Sequence, residues 1–324
     1  MQKNIAIVIG GYSSEAEISF KSGEVVYNSL DTSKYHLYKV YILKEKWFLI
    51  ENEQEYRINK DDFSVTIGEN KIIFDCVFNA IHGDPGENGV IIAYFDILGI
   101  KHTSAPFYQM ALTFNKRDTL SVVKEYGIKA ATSFYMHQRD KINTREIVKK
   151  VGLPCFVKPN NAGSSFGISK VYKEENLKKA IEKAYKEDSE ILIESFLEGT
   201  EVSVGVIEYE GKIKVLPMTE IVSENDFFDY EAKYEGKSQE ITPARISEVE
   251  KEKVEKVAKQ VYEILNMKGF SRSEFILVKG EPYFLELNSV PGLTKESLLP
   301  QQAKEANISL SDLFDNAIVN ALKN

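Results

Sequence analysis

Short apolar runs alternate with helical segments through residues 1–103, and this alternation limits the fold more than any other feature. The strand-like runs span residues 5–9, 37–42 and 72–80, and the helical segments span residues 19–30 and 90–98. This pattern predicts an α/β fold in which helices cover a parallel sheet and ligands bind at the carboxyl ends of the strands. Tyr12 follows Gly10 and Gly11, so the glycine pattern of dinucleotide-binding loops is absent.

Composition excludes several classes of protein. The chain has 324 residues, 43% of them hydrophobic, which is enough for two or three domains with cores. A net charge of -8 argues against a nucleic-acid partner. Residues 5–9 are too short for a signal peptide, and no apolar run approaches the length of a membrane span, so we expect a cytoplasmic protein without membrane insertion. Cys76 and Cys155 lie in apolar runs and are predicted to be buried thiols.

Changes of pattern along the chain predict three domains. They comprise an amino-terminal α/β domain (1–103), a central domain (104–188) and a carboxyl-terminal domain (189–324). Apolar periodicity predicts amphipathic helices at about residues 174–185 in the central domain and 247–265 in the carboxyl-terminal domain. Within the last, residues 223–243 are polar and interleaved with aromatic side chains. Such a segment cannot bury itself easily, and we interpret it as a long lid loop.

An apolar strand over residues 283–288 ends in two oxygen-bearing side chains before a Pro-Gly turn. Glu286 and Asn288 lie two residues apart, so on a strand they share one face. Glu274 ends another apolar-rich stretch upstream. Hard oxygen donors are the ligands of Mg²⁺ when it bridges nucleotide phosphates, so the pattern indicates a metal-nucleotide site. The structural alternative is an edge strand with solvated polar residues.

A second short strand ends in Lys158 and is followed by a loop rich in glycine and serine. Gly163 and Gly167 allow backbone N–H groups to turn toward a ligand, while Ser164 and Ser165 add hydroxyl donors. With the charge of Lys158, this combination is typical of phosphate binding. The lysine precedes the glycines, so the loop is not a Walker loop. The alternative is an ordinary Gly-Ser hairpin.

Six ordered motifs, which include these two, resemble the ATP-grasp family and, within it, the D-alanine:D-alanine ligases. They cover residues 10–19, 82–89, 158–167, 194–201, 229–234 and 286–294. The resemblance implies a three-domain ATP-grasp architecture, with a Rossmann-like amino-terminal domain followed by two ATP-grasp subdomains. It further implies ATP-dependent ligation of two D-alanine molecules through an acyl phosphate, for peptidoglycan precursor synthesis. It also suggests a homodimer built largely through the amino-terminal domain.

The resemblance assigns nucleotide and metal roles to residues spread along the chain. It implies that lysines contact the phosphates together with the serines of the glycine-serine loop, that a strand and turn bind adenine and ribose, and that two Mg²⁺ ions, for which Mn²⁺ could substitute, lie between the phosphates. The residues are Lys116, Lys158 and Lys233 with Ser164 and Ser165 for phosphate; Glu194, Leu197 and Glu201 for adenine and ribose; and Glu274, Glu286 and Asn288 for metal. Without the resemblance, Glu201 would be interpreted as a solvated acid.

The amino-acid site is implied in the same way. Glu15 matches the partner of the first D-alanine's ammonium and His82 a residue near its carboxylate, while Ser297 with Leu298 matches the group that receives the second carboxylate. The resemblance also assigns catalytic roles, namely stabilisation of the tetrahedral oxyanion by Arg272 and the amide of Gly292, and closure of the lid by Tyr234 through Ser164 to Glu15. Two bland alternatives stay open: Arg272 as an ion-pair partner of a nearby acid, and His82 as a neutral loop imidazole.

The chain departs from the family pattern at two places. Glu274 stands where many of these ligases carry aspartate, and Lys295 and Glu296 precede Ser297 where a serine and a histidine are frequent. These departures concern metal geometry and the second substrate. Alternative functions are a same-fold ligase that takes D-serine or D-lactate second, a degenerate nucleotide-binding regulator, and a biotin-carboxylase-like module.

Overall fold

A computed structural model describes residues 2–161, 163, 167–223 and 238–323. Within those ranges the chain forms three β-sheets with helices packed against them, which confirms the α/β class. None of the helices in these ranges is both long and apolar enough to cross a membrane. Cys76 and Cys155 are buried and free, as predicted.

The first sheet has a parallel centre that antiparallel strands extend on one side. Its elements are β1 (Lys3–Gly10), β2 (Tyr35–Ile42), β3 (Trp47–Glu51), β4 (Gln54–Asn59), β5 (Ser64–Ile67), β6 (Asn70–Ile72), β7 (Cys76–Asn79) and β8 (Lys101–His102), with helices α1 (Ala16–Ser29) and α2 (Val90–Ile97). The order is β6-β5-β4-β3-β2-β1-β7-β8. The pairs β1·β2, β1·β7 and β7·β8 are parallel, as the alternation predicts. No strand was predicted for β3, β4 or β5, and of β6 only Ile72 falls in a predicted run.

Helix α1 lies directly on β1 because Gly23 faces the strand. A Cβ atom at residue 23 would come within 2.1 Å of Ile9 Cγ2, so any larger residue would push the helix away. The close approach fixes Glu15, the residue before α1, at the carboxyl end of β1. Residues 80–89, which follow the parallel strand β7, lie at the same edge of the sheet.

Two connecting helices and a second sheet follow. They are α3 (Phe107–Phe114), α4 (Lys116–Glu125), β9 (Ser133–His137), α5 (Thr144–Val151), β10 (Cys155–Pro159), β11 (Ser169–Val171), α6 (Glu174–Ala184) and β12 (Glu190–Ser195). The sheet order is β11-β10-β12-β9, and every pair is antiparallel. The predicted amphipathic helix is confirmed as α6, which buries Leu177, Ala180, Ile181 and Ala184. Asn115 begins α4 by accepting the Asp118 N–H at 3.0 Å, which places Lys116 in the first turn.

The third sheet carries the predicted metal strand. Its elements are β13 (Thr200–Tyr209), β14 (Lys212–Val215), β15 (Thr219–Ser223), β16 (Ser238–Ile241), β17 (Phe270–Val278) and β18 (Glu281–Asn288), with helices α7 (Glu248–Ile264), α8 (Leu298–Glu305) and α9 (Leu310–Lys323). The order is β16-β15-β13-β17-β18. Strand β14 also pairs with β13, along a part of β13 that follows the part paired with β15. Ser247 and Glu250 cap α7 reciprocally, so this predicted amphipathic helix has a defined start.

Aromatic packing joins the first and third sheets. Phe78 on β7 lies 5.6 Å from Phe314 on α9 and 6.3 Å from Phe270 on β17, measured between ring centroids. All three side chains are buried. This contact fixes the loops of the first sheet opposite the loop that follows β18, and the candidate site lies between them.

Candidate active site

Two neighbouring cavities share one wall, and most of the predicted site residues line them. The smaller holds about 240 Å³ and is lined by Glu15, His82, Arg272, Gly292, Ser297 and Leu298. The larger holds about 450 Å³ and is lined by Lys158, Glu194, Leu197, Glu201 and Glu274. Glu286 lines both. The shared carboxylate therefore stands where the two cavities meet.

Four functional side chains form a block on adjacent antiparallel strands. Arg272 is paired with Asn288, and Glu274 with Glu286, in the register of β17 and β18. Like charges directly opposite each other destabilise a sheet unless cations compensate them. Here Arg272 hydrogen-bonds to Glu274, and Lys116 Nζ lies 3.3 Å from Glu286 Oε2. The cations predicted to stabilise the oxyanion and to contact phosphate thus neutralise the acids predicted to bind metal.

Arg272 is partly buried, with its side chain 14% exposed, and is held from two sides. Its Nη1 donates to Ser203 Oγ at 2.8 Å as well as to Glu274. Burial alone would lower the pKa of this guanidinium, but Glu274 and Glu286 raise it above its usual value. The ion-pair interpretation of Arg272 is therefore confirmed, and it is compatible with a catalytic role because the side chain also lines the smaller cavity.

Lys158 and Glu194 form a buried ion pair in the larger cavity. Lys158 is 9% exposed and Glu194 is 4% exposed. Ser133 Oγ donates to Glu194 Oε1 at 3.3 Å. Burial alone would lower the pKa of Lys158, but the charges of Glu194 and Glu286 raise it. A nucleotide that binds both groups must exchange part of this contact for its own phosphates and base.

An aromatic group at the mouth of the larger cavity was not foreseen. The rings of Phe156 and Phe196 lie 6.2 Å apart, and Lys170 Nζ lies 4.1 Å from the Phe196 centroid. Phe196 sits between Glu194 and Leu197 in a motif that the sequence did single out, so the signal was available. These rings offer an apolar surface on which a base could stack.

At the smaller cavity, the buried imidazole of His82 bridges two parts of the chain. Its Nε2 lies 2.9 Å from Ser22 Oγ and its Nδ1 2.9 Å from the Val290 carbonyl oxygen. Burial lowers the pKa of His82, although Glu15 acts in the opposite direction. His82 is therefore a neutral ring that fixes the loop after β18 against α1.

Glu15 stands close to the start of the glycine-serine loop. A Cβ atom at Gly163 would lie 2.9 Å from both Glu15 carboxylate oxygens. Only a glycine can therefore occupy this position without displacing the carboxylate. The Glu15 backbone N–H donates to Ser13 Oγ at 3.2 Å, which fixes the residue at the start of α1.

Glu87 is a buried carboxylate that the residue-by-residue prediction missed, although it belongs to the 82–89 motif. It lines the smaller cavity, and its Oε2 accepts the Gly83 N–H at 3.2 Å. Burial, helped by the charge of Glu15, raises the pKa of Glu87 to about 7. At neutral pH this acid can therefore retain a proton.

The loop after β18 presents the remaining predicted residues. The Leu293 N–H donates to Ser22 Oγ at 3.3 Å, and Ser297 Oγ lies 2.8 Å from Thr294 Oγ1. A Cβ atom at Gly292 would lie 2.7 Å from Ser297 Oγ, so the backbone at Gly292 packs closely against the Ser297 side chain. Gly292 and Ser297 consequently lie together at one side of the smaller cavity.

The predicted set is thus gathered in one region, with four members outside the described residues: Ser164, Ser165, Lys233 and Tyr234. Across the described part of the chain, no three His, Cys, Asp or Glu side chains surround a common metal position. The predicted ligands are two carboxylates and one amide, so they fit a hard cation that takes its other ligands from phosphate oxygens and water.

Two family models match most of the chain. Residues 4–105 match the family described as D-ala D-ala ligase N-terminus, and residues 122–319 match D-ala D-ala ligase C-terminus. A relative from Flavobacterium johnsoniae named D-alanine--D-alanine ligase is 67% identical over 317 residues, which cover 98% of each chain.

Solved structures share the fold. The VanG D-Ala:D-Ser ligase from Enterococcus faecalis is 28% identical with a TM-score of 0.87, and the match covers 99% of this chain and 100% of that one. The D-alanine--D-alanine ligase from Bacillus anthracis complexed with ATP is 26% identical with a TM-score of 0.80, covering 99% and 98%. Together, the matched domains and the near full-length identity show that this chain belongs to the D-alanine–D-alanine ligase family and has its ATP-grasp architecture.

Proposed function

We propose that this protein joins two D-alanine molecules into D-alanyl-D-alanine at the expense of ATP, for peptidoglycan precursor synthesis. The observation that carries the proposal is the meeting of two cavities at Glu286. One cavity has the lysine, acids and apolar walls that suit a nucleotide. The other has the acids, arginine and backbone amide that suit amino acids.

In the larger cavity, ATP would lie with its phosphates toward Lys158 and Lys116. Glu194 would accept from the adenine amino group, Leu197 would offer its backbone, and Glu201 would bind the ribose. Mg²⁺ held by Glu274, Glu286 and Asn288, as two ions, would neutralise the crowded phosphate oxygens. The cations already at this wall, Lys116 and Arg272, hold the acids in place until the nucleotide binds.

In the smaller cavity, the carboxylate of the first D-alanine attacks the γ-phosphorus of ATP, so that an acyl phosphate forms and ADP leaves. The amine of the second D-alanine then attacks the acyl carbon, the C–O bond to phosphate breaks, and the amine loses a proton. Arg272 and the Gly292 N–H would stabilise the tetrahedral oxyanion. Glu15 would hold the first ammonium, and Ser297 with Leu298 the second carboxylate.

The lid would exclude water from the acyl phosphate. We assign Lys233 to the transferred phosphoryl group, with the loop hydroxyls of Ser164 and Ser165, and Tyr234 to a hydrogen bond with Ser164. The position of Gly163 against Glu15 supports this assignment, because it brings the start of the same loop to the amino-acid site. Exclusion of water protects an acyl phosphate from hydrolysis.

We further propose the three-domain division at residues 103 and 188, a cytoplasmic location, and a homodimer formed through the amino-terminal domain. Apolar side chains exposed on α2, in the amino-terminal domain, support the dimer: Val90 is 61% exposed and Ile97 83%. Light scattering of the wild type and of Ile97→Lys tests this assembly. We expect a dimer that the lysine weakens, and a monomeric wild type would contradict it.

The second candidate is a ligase that takes D-serine or D-lactate as second substrate, since a D-Ala:D-Ser ligase shares the fold. The deciding experiment supplies purified protein with ATP, Mg²⁺ and D-alanine, alone or with D-serine or D-lactate, and follows phosphate while identifying products by mass. We expect D-alanyl-D-alanine from D-alanine alone. Product that forms only with another second substrate would reassign the enzyme, and an absence of phosphate release would indicate a degenerate binding protein.

A further inference from the structure

A buried glutamine ties helix α8 to the strand behind the catalytic arginine. Gln302 is 0% exposed and lies one helical turn after Leu298, which lines the smaller cavity. Its Nε2 donates to the backbone carbonyl of Ser203 at 2.9 Å, and its Oε1 accepts the backbone N–H of Gly205 at 2.8 Å. One side chain therefore bonds both a donor and an acceptor of strand β13.

The two residues that Gln302 contacts lie directly opposite the functional pair on β17. In the strand register, Ser203 is paired with Glu274 and Gly205 with Arg272. Ser203 also accepts a hydrogen bond from Arg272 Nη1 through its hydroxyl at 2.8 Å. A displacement of this part of β13 would therefore move the guanidinium.

Gln302 fills a gap that the sheet leaves at this point. Strand β15 pairs with β13 only as far as Ser203, and β14 begins to pair at Val206. A Cβ atom at Gly205 would lie 2.8 Å from Gln302 Oε1, so the glycine is what lets α8 come this close. Thr219 Oγ1 accepts a further bond from Gln302 Nε2 at 3.1 Å.

We propose that Gln302 is a positioning residue for the second amino acid. It fixes the separation between Arg272 and the Ser297–Leu298 segment at the start of α8, and so sets the affinity for the D-alanine that acts as nucleophile. The proposal rests on the proposed function of the site. An apolar side chain here would leave buried backbone groups without partners and would free α8 to shift. A shift of α8 would misalign the reacting groups, and even a small misalignment strongly reduces the rate.

The test compares Gln302→Met with a matched control on the same strand. Asn316 on α9 makes the same kind of bridge at the end of β13, since its Nδ2 donates to the Glu208 carbonyl at 2.6 Å and its Oδ1 accepts the N–H of Glu210, just beyond the strand, at 2.9 Å. That contact lies roughly 16 Å farther along the strand than Ser203. Asn316→Leu therefore removes a comparable anchor away from the site. Thermal unfolding of both variants shows how much stability each has lost.

Dipeptide and phosphate are measured against D-alanine and ATP concentration, starting with the wild type. If the wild type makes no dipeptide, the proposed function fails, whatever Gln302 does. For Gln302→Met we expect the KM for the second D-alanine to rise about tenfold, because Arg272 and the start of α8 are misaligned, with a lower kcat and an unchanged KM for ATP. Asn316→Leu should keep all three constants. Equal kinetics in Gln302→Met and Asn316→Leu would overturn the proposal.

Gln302→Glu keeps the test decisive if Gln302→Met does not fold. This variant retains the shape and one accepting oxygen, but an ionised carboxylate cannot donate to Ser203. Burial raises the pKa of a carboxyl group, so the protonated acid, which can donate, becomes more populated as pH falls. We therefore expect the KM for the second D-alanine, relative to wild type at each pH, to rise with pH. A ratio of one throughout would contradict a positioning role.

Discussion

The ammonium of Lys116 lies 3.3 Å from the carboxylate of Glu286, so a lysine assigned to phosphate is paired with an acid assigned to metal. Lys158 is likewise paired with Glu194, and Arg272 is paired with Glu274. Each cation is thus already at the wall where negative charge arrives, and none has to be brought from solvent. Such preorganisation reduces the reorganisation that catalysis would otherwise require.

Arg272→Lys should reduce kcat by about a hundredfold or more, because a lysine cannot bond Ser203 and Glu274 while also reaching a substrate oxygen. Steady-state kinetics with D-alanine and ATP measure the loss. Arg245→Lys is the matched control. Arg245 makes a bidentate contact with Glu220, but the Arg245 side chain is 61% exposed. Near-normal turnover of Arg272→Lys would reject the oxyanion role.

Glu274→Gln should weaken the binding of Mg²⁺, since an amide oxygen is a poorer ligand for a hard cation than a carboxylate. We expect the Mg²⁺ concentration for half-maximal rate to rise about tenfold or more, with Glu274→Asp much nearer to wild type. The control is Glu281→Gln on the same strand pair, whose carboxylate contacts Lys129 and Lys253 at the surface. An unchanged Mg²⁺ titration in Glu274→Gln would exclude Glu274 as a metal ligand.

Glu87→Gln should change how stability depends on pH. The raised pKa of Glu87, about 7 against a usual 4.5, means that the folded protein retains a proton that the unfolded chain releases between these values. The free energy of unfolding should therefore fall as pH rises from about 4.5 to 7, by on the order of 3 kcal/mol for this group.

Denaturant unfolding at several pH values measures this effect as a difference between wild type and Glu87→Gln. The difference is needed because the lowered pKa of His82 gives a slope of the opposite sign, and both proteins contain His82. We expect the glutamine variant to lack the decline due to Glu87. The same pH dependence in both proteins would mean that Glu87 is ionised in the fold.

Tyr234→Phe should uncouple ATP hydrolysis from ligation. Without the hydroxyl, the proposed bond to Ser164 is lost and water can reach the acyl phosphate. We expect the ratio of phosphate released to dipeptide formed to rise several-fold above one, as expected from the loss of one hydrogen bond. Tyr126→Phe serves as control, since Tyr126 is exposed on the surface. A ratio of one for Tyr234→Phe would remove the lid tyrosine from the mechanism.

Local patterns predicted much of the fold. The strands that contain Lys158 and Glu286 and the amphipathic helices α6 and α7 followed from periodicity and from residues close in sequence. The hairpins from β3 to β6 did not, because such strands are short and partly polar. In β4, for example, only Ile58 is buried. The single strand predicted over residues 72–80 is divided between β6 and β7.

Within the site, the motifs gave residue types but not their partners. Nothing near Lys116 in the sequence indicates Glu286, and nothing near Ser203 indicates Gln302, because these contacts depend on packing between distant segments. Glu87 was missed for another reason. Its interest lies in burial beside Glu15, which only the folded structure supplies.

The irregular pairing between β17 and β18 has a chemical consequence. The register shifts between Glu274 and Phe275, so that Glu274 faces Glu286 while Phe275 faces Phe284. Two successive side chains, Leu285 and Glu286, therefore both line the larger cavity, which a regular strand would forbid. An apolar side chain and an ionic one thus lie next to each other, where a single bound molecule can contact both. In a regular register the two side chains would lie on opposite faces of the sheet.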